Sequence, residues 1–382
     1  MAFVFRTAIL VSALALALAL SSTSSQPIAA QAPPAEAAGG EHRGGWSLEH
    51  HRALVTYIRD HLKVPASWRS PRNDWGHPNL EGVWTSDSVH GVPRDRQARF
   101  GDRMFLNEAE LAERTAAEEQ TRVNAINASG AQTAGRDRAW RGNITFPLTS
   151  LIVDPPNGRT PAVTAHAEKR RAPRDRGSFG EGPFETLEDF TLYDRCITRG
   201  IVGGVLPVSY GNGNRVIQTP DSVVIGYEMI HDTRIVPIDG RAPLTNRVRQ
   251  YLGDSRGRWE GDTLVIETTN FTDRTSIGPN GNGLRHSDEM KIIEHFTRVG
   301  DNVLVYDMTM IDPKTYTQPF TIAAPLVSPP GFQLLPYDCH EGNEAIYNIM
   351  RGQRAEDRAI EEDRTHGIIR PRLPVQSDID LN

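Results

Sequence analysis

The sequence predicts a mainly β protein: an antiparallel meander closing into a barrel, flanked by N-terminal and C-terminal helices. Three observations lead there. After residue 200, β-branched and apolar residues recur in short runs, such as Val223–Met229 and Thr263–Thr269, as strands require. Short turn sequences separate these runs, among them Pro220-Asp221-Ser222, Glu260-Gly261-Asp262 and Val299-Gly300-Asp301-Asn302. Helical periodicity is confined to segments before residue 130 and after residue 342.

In chain order, Trp46 to Lys63 is predicted helical, with Leu48, Leu54, Val55, Ile58 and Leu62 on one face, Ser47 as N-cap and Pro65 beyond its end. A strand follows at Leu80–Ser86. A second helix spans Leu106 to Ile126, opened by Asn107 and Glu110 at capping-box spacing. Arg215–Thr219 and Val223–Met229 form a strand, turn and strand, and Thr233–Ile238 adds another. Trp259 with Thr263–Thr269, and Met290–Arg298 with Val303–Met310, read as hairpins. Gln318–Leu326 and Phe332–Tyr337 flank Ser328-Pro329-Pro330-Gly331 as a third. Asn343 is placed to cap a last helix to about Asp363, burying Ile346, Ile349 and Met350. Strands in this number curl into a closed or nearly closed barrel, lipocalin-like or similar, because closure removes exposed edges. Two sheets packed as a β-sandwich are the alternative.

The strands alternate in an uneven way. Met290, Ile292, Glu294 and Phe296 share one side of their strand, while Lys291, Ile293, His295 and Thr297 share the other. Leu304, Tyr306, Met308 and Met310 oppose Val303, Val305 and Asp307. Neither side is wholly apolar. A barrel with a polar or ligand-filled interior produces this pattern, and so do salt-bridged outer faces.

The N-terminus begins with Arg6 as its one charge and continues with an apolar run from Ala8 to Leu20. Such a run makes a helix of about 20 Å, too short for a hydrocarbon core of about 30 Å. Ala30-Gln31-Ala32 follows, so residues 1–32 are expected to be a secretory signal peptide and residues 33–45, rich in Ala, Pro and Gly, a disordered linker. The expected setting is periplasmic or secreted, with no membrane span in the mature chain. Residues 46–130 are expected to form a helical extension carrying the first strand, residues 131–342 the β domain, and residues 343–382 the terminal helix and tail. The net charge is −6, and the 42 basic residues form no stripe, which argues against nucleic acid.

The chain has two cysteines, Cys196 and Cys339. In an oxidising compartment they are expected to pair, closing a loop of about 140 residues worth at most about 4–5 kcal/mol. A reactive thiol and two buried free thiols are the alternatives. No CxxC or Cys/His ligand spacing is present, so a zinc site built on cysteine is excluded.

Several segments resemble, in order and spacing, a large uncharacterised family of secreted bacterial proteins. They are Thr149–Arg159 (TSLIVDPPNGR), Asp194–Gly200 (DRCITRG), Val216–Asp221 (VIQTPD), Glu228–Arg241 (EMIHDTRIVPIDGR), Gly253–Phe271 and Tyr337–Asn343 (YDCHEGN). The likeness covers Leu80 to Glu362 and implies a single secreted domain; it implies no particular activity. The chain departs from that pattern at Lys291, where many members have histidine.

Candidate chemistry concentrates in two of these segments. Beside the disulfide, His340 is a candidate general acid or base oriented by Glu341, with Gly342 permitting a tight turn. Glu228, Asp232 and Arg234 would share one face of a strand with His231 on the other, a set able to bind a carboxylate or polarise a carbonyl, or to form an internal ion-pair group. Lys291 joins them as a candidate ligand contact. His231, His295 and His340 could in principle meet as a metal triad from separate strands, though packed or solvated histidines explain them more simply. No G-x-S-x-G, H-E-x-x-H or Walker lysine occurs; Gly211-Asn-Gly-Asn and Pro279-Asn-Gly-Asn-Gly are turns. The expectation is therefore an enzyme without cofactor, a lyase, isomerase or hydrolase acting on a small aromatic or terpenoid molecule. A carrier for the same ligands is the alternative, and an envelope protein assembling through its charged terminal helix ranks below both.

Overall fold

Runs with strand periodicity pair where a tight turn returns the chain antiparallel, and the sheet of this protein is built largely from such hairpins. The computed structural model describes residues 45–128, 144–170, 184–208, 210–278 and 283–371. The predicted signal peptide, the linker up to residue 44 and most of the turn at 279–283 lie outside the described residues. Two strands come early, β1 (Gly82–Thr85) and β2 (Ile152–Asp154). Then follow β3 (Gly213–Gln218), β4 (Ser222–Tyr227), β5 (Thr233–Pro237), β6 (Asp254–Glu260) and β7 (Thr263–Thr269). The last are β8 (Lys291–Gly300), β9 (Val303–Ile311), β10 (Phe320–Ala323) and β11 (Leu326–Val327). They join in one antiparallel sheet of order β5-β4-β3-β1-β11-β9-β8-β7-β6, with β10 bridging β9 and β2.

The expected barrel closure is not formed by hydrogen bonds: among the described residues no ladder joins the end strands β5 and β6. Those strands meet through side chains instead. Val236 and Ile238 lie so close over Gly257 of β6 that a Cβ there would stand 2.9 and 2.8 Å from them.

The third expected hairpin also differs. Its first arm divides into β10 and β11 at Ala324-Pro325, where proline offers no N–H. Its second arm, Phe332–Tyr337, is irregular, because the Leu335 N–H donates to the Glu228 carboxylate at 2.8 Å and Pro336 has no donor.

The helices follow their caps. Ser47 caps α1 (Leu48–His61), and Asn107 and Glu110 exchange two 2.9 Å bonds at the start of α2 (Glu108–Ala128). Two short helices follow, α3 (Ala165–Arg170) and α4 (Gly200–Val205). The terminal helix α5 runs from Ala345 to Thr365 and buries no residue. Ile346, Ile349 and Met350 are only half-buried, and Asn343 is not its cap. The Asn343 amide donates instead to the Asp194 carbonyl at 3.1 Å.

Polar groups are buried on both faces of β8 and β9. On one face the Arg234 guanidinium donates to both Glu294 oxygens at 2.5 and 2.6 Å, and the Tyr306 hydroxyl donates to Glu294 at 2.8 Å. Burial opposes the Arg234 charge, but Glu294 outweighs it and holds the guanidinium protonated. On the other face α1 docks through Leu54, Ile58 and His51, at i, i+3 and i+7 spacing. His51 shares the Asp307 carboxylate with His295. Burial alone would raise the Asp307 carboxyl, yet the two histidines hold it far below the usual carboxylate range.

Two outcomes follow. Glu294→Ala should cost about 3–5 kcal/mol in urea unfolding, and the double replacement Arg234→Met, Glu294→Leu should cost less than that single change. Because the Asp307 carboxyl is more acidic folded than unfolded, its stabilisation is complete above about pH 4 and fades as the pH falls further. Thermal melting between about pH 7 and pH 2 should therefore show a shallower acid limb for Asp307→Asn than for the parent.

Candidate functional site

A disulfide between Cys196 and Cys339 ties the segment before α4 to the segment before α5. A third segment, the link from β4 to β5, joins them. The Asp232 carboxylate accepts from the Thr198 hydroxyl and from the backbone N–H of Arg199. Glu228 accepts from the Gly213 N–H at 2.9 Å and from the Leu335 N–H at 2.8 Å. The Asn343 amide also reaches Cys196 Sγ at 3.3 Å. Parts of three segments singled out in the sequence, 194–200, 228–241 and 337–343, thus meet at one junction.

The backbone there is strained. Cys196, Ile230 and His231 have φ of 54°, 66° and 58°, the left-handed region that non-glycine residues avoid. For a β-branched isoleucine this costs of the order of 1–3 kcal/mol, and such positions cluster at functional sites. They account for three of the five non-glycine residues with positive φ among the described residues.

At the centre lies Arg199, only 2% exposed. Its Nε and Nη2 have no hydrogen-bond partner. Among the described residues no carboxylate pairs with it; the groups acting on its charge are Tyr193, Tyr337 and Tyr210. Burial pushes its pKa down to about 10 against the pull of those phenols. The Tyr193 and Tyr337 hydroxyls are 3.5 Å apart, and the Tyr210 and Tyr337 rings have centroids 6.2 Å apart. Burial, then the hydrogen bond to Tyr337, raises the Tyr193 phenol, so it remains a proton donor at neutral pH. Tyr193 and Tyr337 also stand on the wall of a cleft of ≈ 360 Å3 that includes Glu341, Asn343 and Ile346. Asp194 and Asp338 stand on that wall too, and Arg199 does not. An unpaired guanidinium beside neutral phenols offers positive charge and hydroxyl donors, which an anionic group requires.

The residues singled out in the sequence divide as follows. Glu228 and Asp232 are at the junction, but their oxygens are engaged in holding backbone and hydroxyl, and burial raises both carboxyls above their ordinary values. His231 is exposed in the strained turn and His340 is exposed beside the disulfide. Glu341 is exposed on the cleft wall. The expected shared face of Glu228, Asp232 and Arg234 is broken, because residues 229–231 form a single 3-10 turn rather than strand. Arg234 therefore points into the sheet interior and pairs with Glu294. Lys291 pairs with Glu267 at 2.6 Å on the neighbouring strand, away from this junction. The triad of His231, His295 and His340 does not assemble: His295 lies under α1 while the other two are exposed. A different group, His51, His295 and Asp307, places one donor atom each within 4.8 Å of the others.

Arg199 and the tyrosines were not selected from the sequence, although a signal existed. Tyr193 and Tyr337 precede Cys196 and Cys339 by three and two residues, so pairing the cysteines brings the phenols together.

No protein-family model, no curated protein and no solved structure matches this chain.

Removing the disulfide as Cys196→Ala, Cys339→Ala should cost about 2–5 kcal/mol in unfolding. It should also raise hydrogen exchange first at residues 194–200 and 335–343, measured by mass spectrometry on the intact fold.

Proposed function

We propose that the protein binds a small molecule with an anionic group on an aromatic or terpenoid body, the anion meeting Arg199 and the body lying against Tyr193, Tyr210 and Tyr337. One observation carries this reading: a buried guanidinium with two unpartnered nitrogens and no carboxylate among the described residues. A structural arginine gains nothing from that position, since a desolvated charge without a partner costs several kcal/mol. A ligand anion would supply the missing acceptors.

The same arrangement supports turnover without a cofactor. Negative charge developing on an enolate or carbonyl oxygen would be met by fixed donors in a desolvated site, where they act most strongly. The Tyr193 phenol would supply a proton, and Glu341 on the cleft wall is the candidate base, with His340 beside it. A lyase, isomerase or hydrolase of small aromatic or terpenoid compounds fits that chemistry. The carrier reading is favoured by the same guanidinium, because binding needs no base. The approach of β5 to β6 supports a barrel-like enclosure, and the signal-like N-terminus with the disulfide supports a periplasmic or secreted setting.

The test uses two measurements on Arg199→Met. Calorimetric titration with benzoate and with a terpenoid carboxylate should show binding to the parent and at least a tenfold loss in the variant, as expected for a charge-assisted hydrogen bond. Unfolding of the unliganded variant should be no easier than that of the parent, because the change removes an unpaired buried charge. Parent protein that binds neither carboxylate, with a variant that unfolds several kcal/mol more easily, would make Arg199 a structural residue.

A further inference from the structure

A second group of reactive side chains lies under α1, apart from Arg199. The Thr297 hydroxyl is 2.7 Å from His51 Nε2, and His51 Nδ1 is 2.5 Å from Asp307 Oδ2. His295 Nδ1 contacts the other oxygen, Asp307 Oδ1, at 2.8 Å, and the Thr263 hydroxyl is 2.8 Å from that of Thr297. His51 and Asp307 are fully buried.

Proton placement follows from the acceptors. An ionised Asp307 can only accept, so Nδ1 of each histidine carries hydrogen toward it. In the tautomer that carries its hydrogen on Nδ1, His51 has a lone pair on Nε2, to which the Thr297 O–H can donate while Thr263 donates to Thr297. A hydroxyl is thus aimed at an imidazole that a carboxylate orients, the connectivity by which unrelated hydrolases activate a nucleophile. The strands hold it rigidly: Thr263 stands opposite Thr297, and His295 opposite Asp307, in antiparallel register.

The hydroxyl end lies at the base of a cleft, with Thr263 4% and Thr297 7% exposed. Thr263 and Thr297 line a cleft of ≈ 370 Å3 whose wall includes Arg52, Arg59, Arg69 and Arg298. The carboxylates of that wall, Glu260 and Asp262, pair with Arg258 and Arg72, which are not on it. None of the four wall arginines forms an ion pair among the described residues; Arg298 donates to backbone carbonyls and Arg59 lies over Trp68. The cleft is therefore positive around its hydroxyl floor.

We propose that Thr297, His51 and Asp307 form an acyl-transfer site that hydrolyses small esters carrying an anionic group. Thr297 Oγ1 attacks the ester carbonyl as His51 Nε2 takes the hydroxyl proton. The bond to the alcohol oxygen breaks, and the alcohol leaves with that proton. Water then attacks the acyl-threonine, giving its proton to His51 Nε2, and the acid departs as Thr297 regains a hydrogen. One ester and one water become one acid and one alcohol. The cleft arginines hold the anionic group, and His295 is a positioning residue that fixes Asp307.

The experiment treats the full-length protein with diisopropyl fluorophosphate and locates the adduct by peptide mass spectrometry, alongside hydrolysis of mono-p-nitrophenyl succinate. The expected result is a single adduct on Thr297, ester hydrolysis above buffer, both lost in Thr297→Val and kept in Thr297→Ser. His51→Gln should lower hydrolysis by about 100-fold or more, the span of a general base. Circular dichroism and melting accompany each variant. Parent protein that takes no adduct at Thr297 and hydrolyses the ester no faster than buffer overturns the proposal, whatever the variants do. An adduct or activity that persists in folded Thr297→Val overturns it as well.

Discussion

The ion pair between Arg234 and Glu294 governs the architecture, because it spans the sheet rather than a hairpin. Arg234 belongs to β5, at one end of the strand order, and Glu294 to β8, two places from the other end. A guanidinium and a carboxylate sealed from water are tolerable only together, so once the interior closes over them the two ends of the sheet are committed to each other. Tyr306 donates to the same carboxylate, and Ser255 of β6 lies 3.4 Å from the guanidinium. The pair thus joins Val236 and Ile238, packed on Gly257, in linking the two ends of a sheet without a closing ladder.

The same rule of pairing separates scaffold from site. Glu294, Glu228 and Asp232 are buried or partly buried acids, and each has its acceptors occupied by groups of the fold. Arg199 breaks the rule, with a buried charge and idle donors. Strain gathers beside it at Cys196, Ile230 and His231. Two departures from ordinary energetics within one disulfide-linked junction make functional use a better explanation than chance packing.

Much of this was legible in the sequence. The hairpins of β3 to β9 followed from two-residue alternation broken by Asp/Gly turns, and the caps of α1 and α2 from Ser47 and from Asn107 with Glu110. The mixed polarity of β8 and β9 was also visible. Its cause was not, since the partners of Glu294 and Asp307 are Arg234 and His51, which lie 60 and 256 residues away. The junction was half legible: Cys196 pairs with Cys339 as expected, and Glu228 and Asp232 do reach it. Treating Glu228–Arg234 as one strand misplaced Arg234, because nothing in that local pattern announces left-handed Ile230 and His231. The irregular Phe332–Tyr337 segment was missed for a similar reason, its backbone donor being taken by a side chain from elsewhere.

The position of β1 has a consequence for how the chain assembles. It lies between β3 and β11, strands whose residues begin at Gly213 and Leu326. The first strand to be synthesised therefore has neither neighbour until more than a hundred residues have followed it. Its second neighbour comes only with nearly the whole domain. Contacts so distant along the chain make folding slow and leave unfinished sheet edges open while it proceeds. A nascent chain halted before β11 would present two unsatisfied strand edges in what becomes the middle of the sheet, the very surface a chaperone must cover.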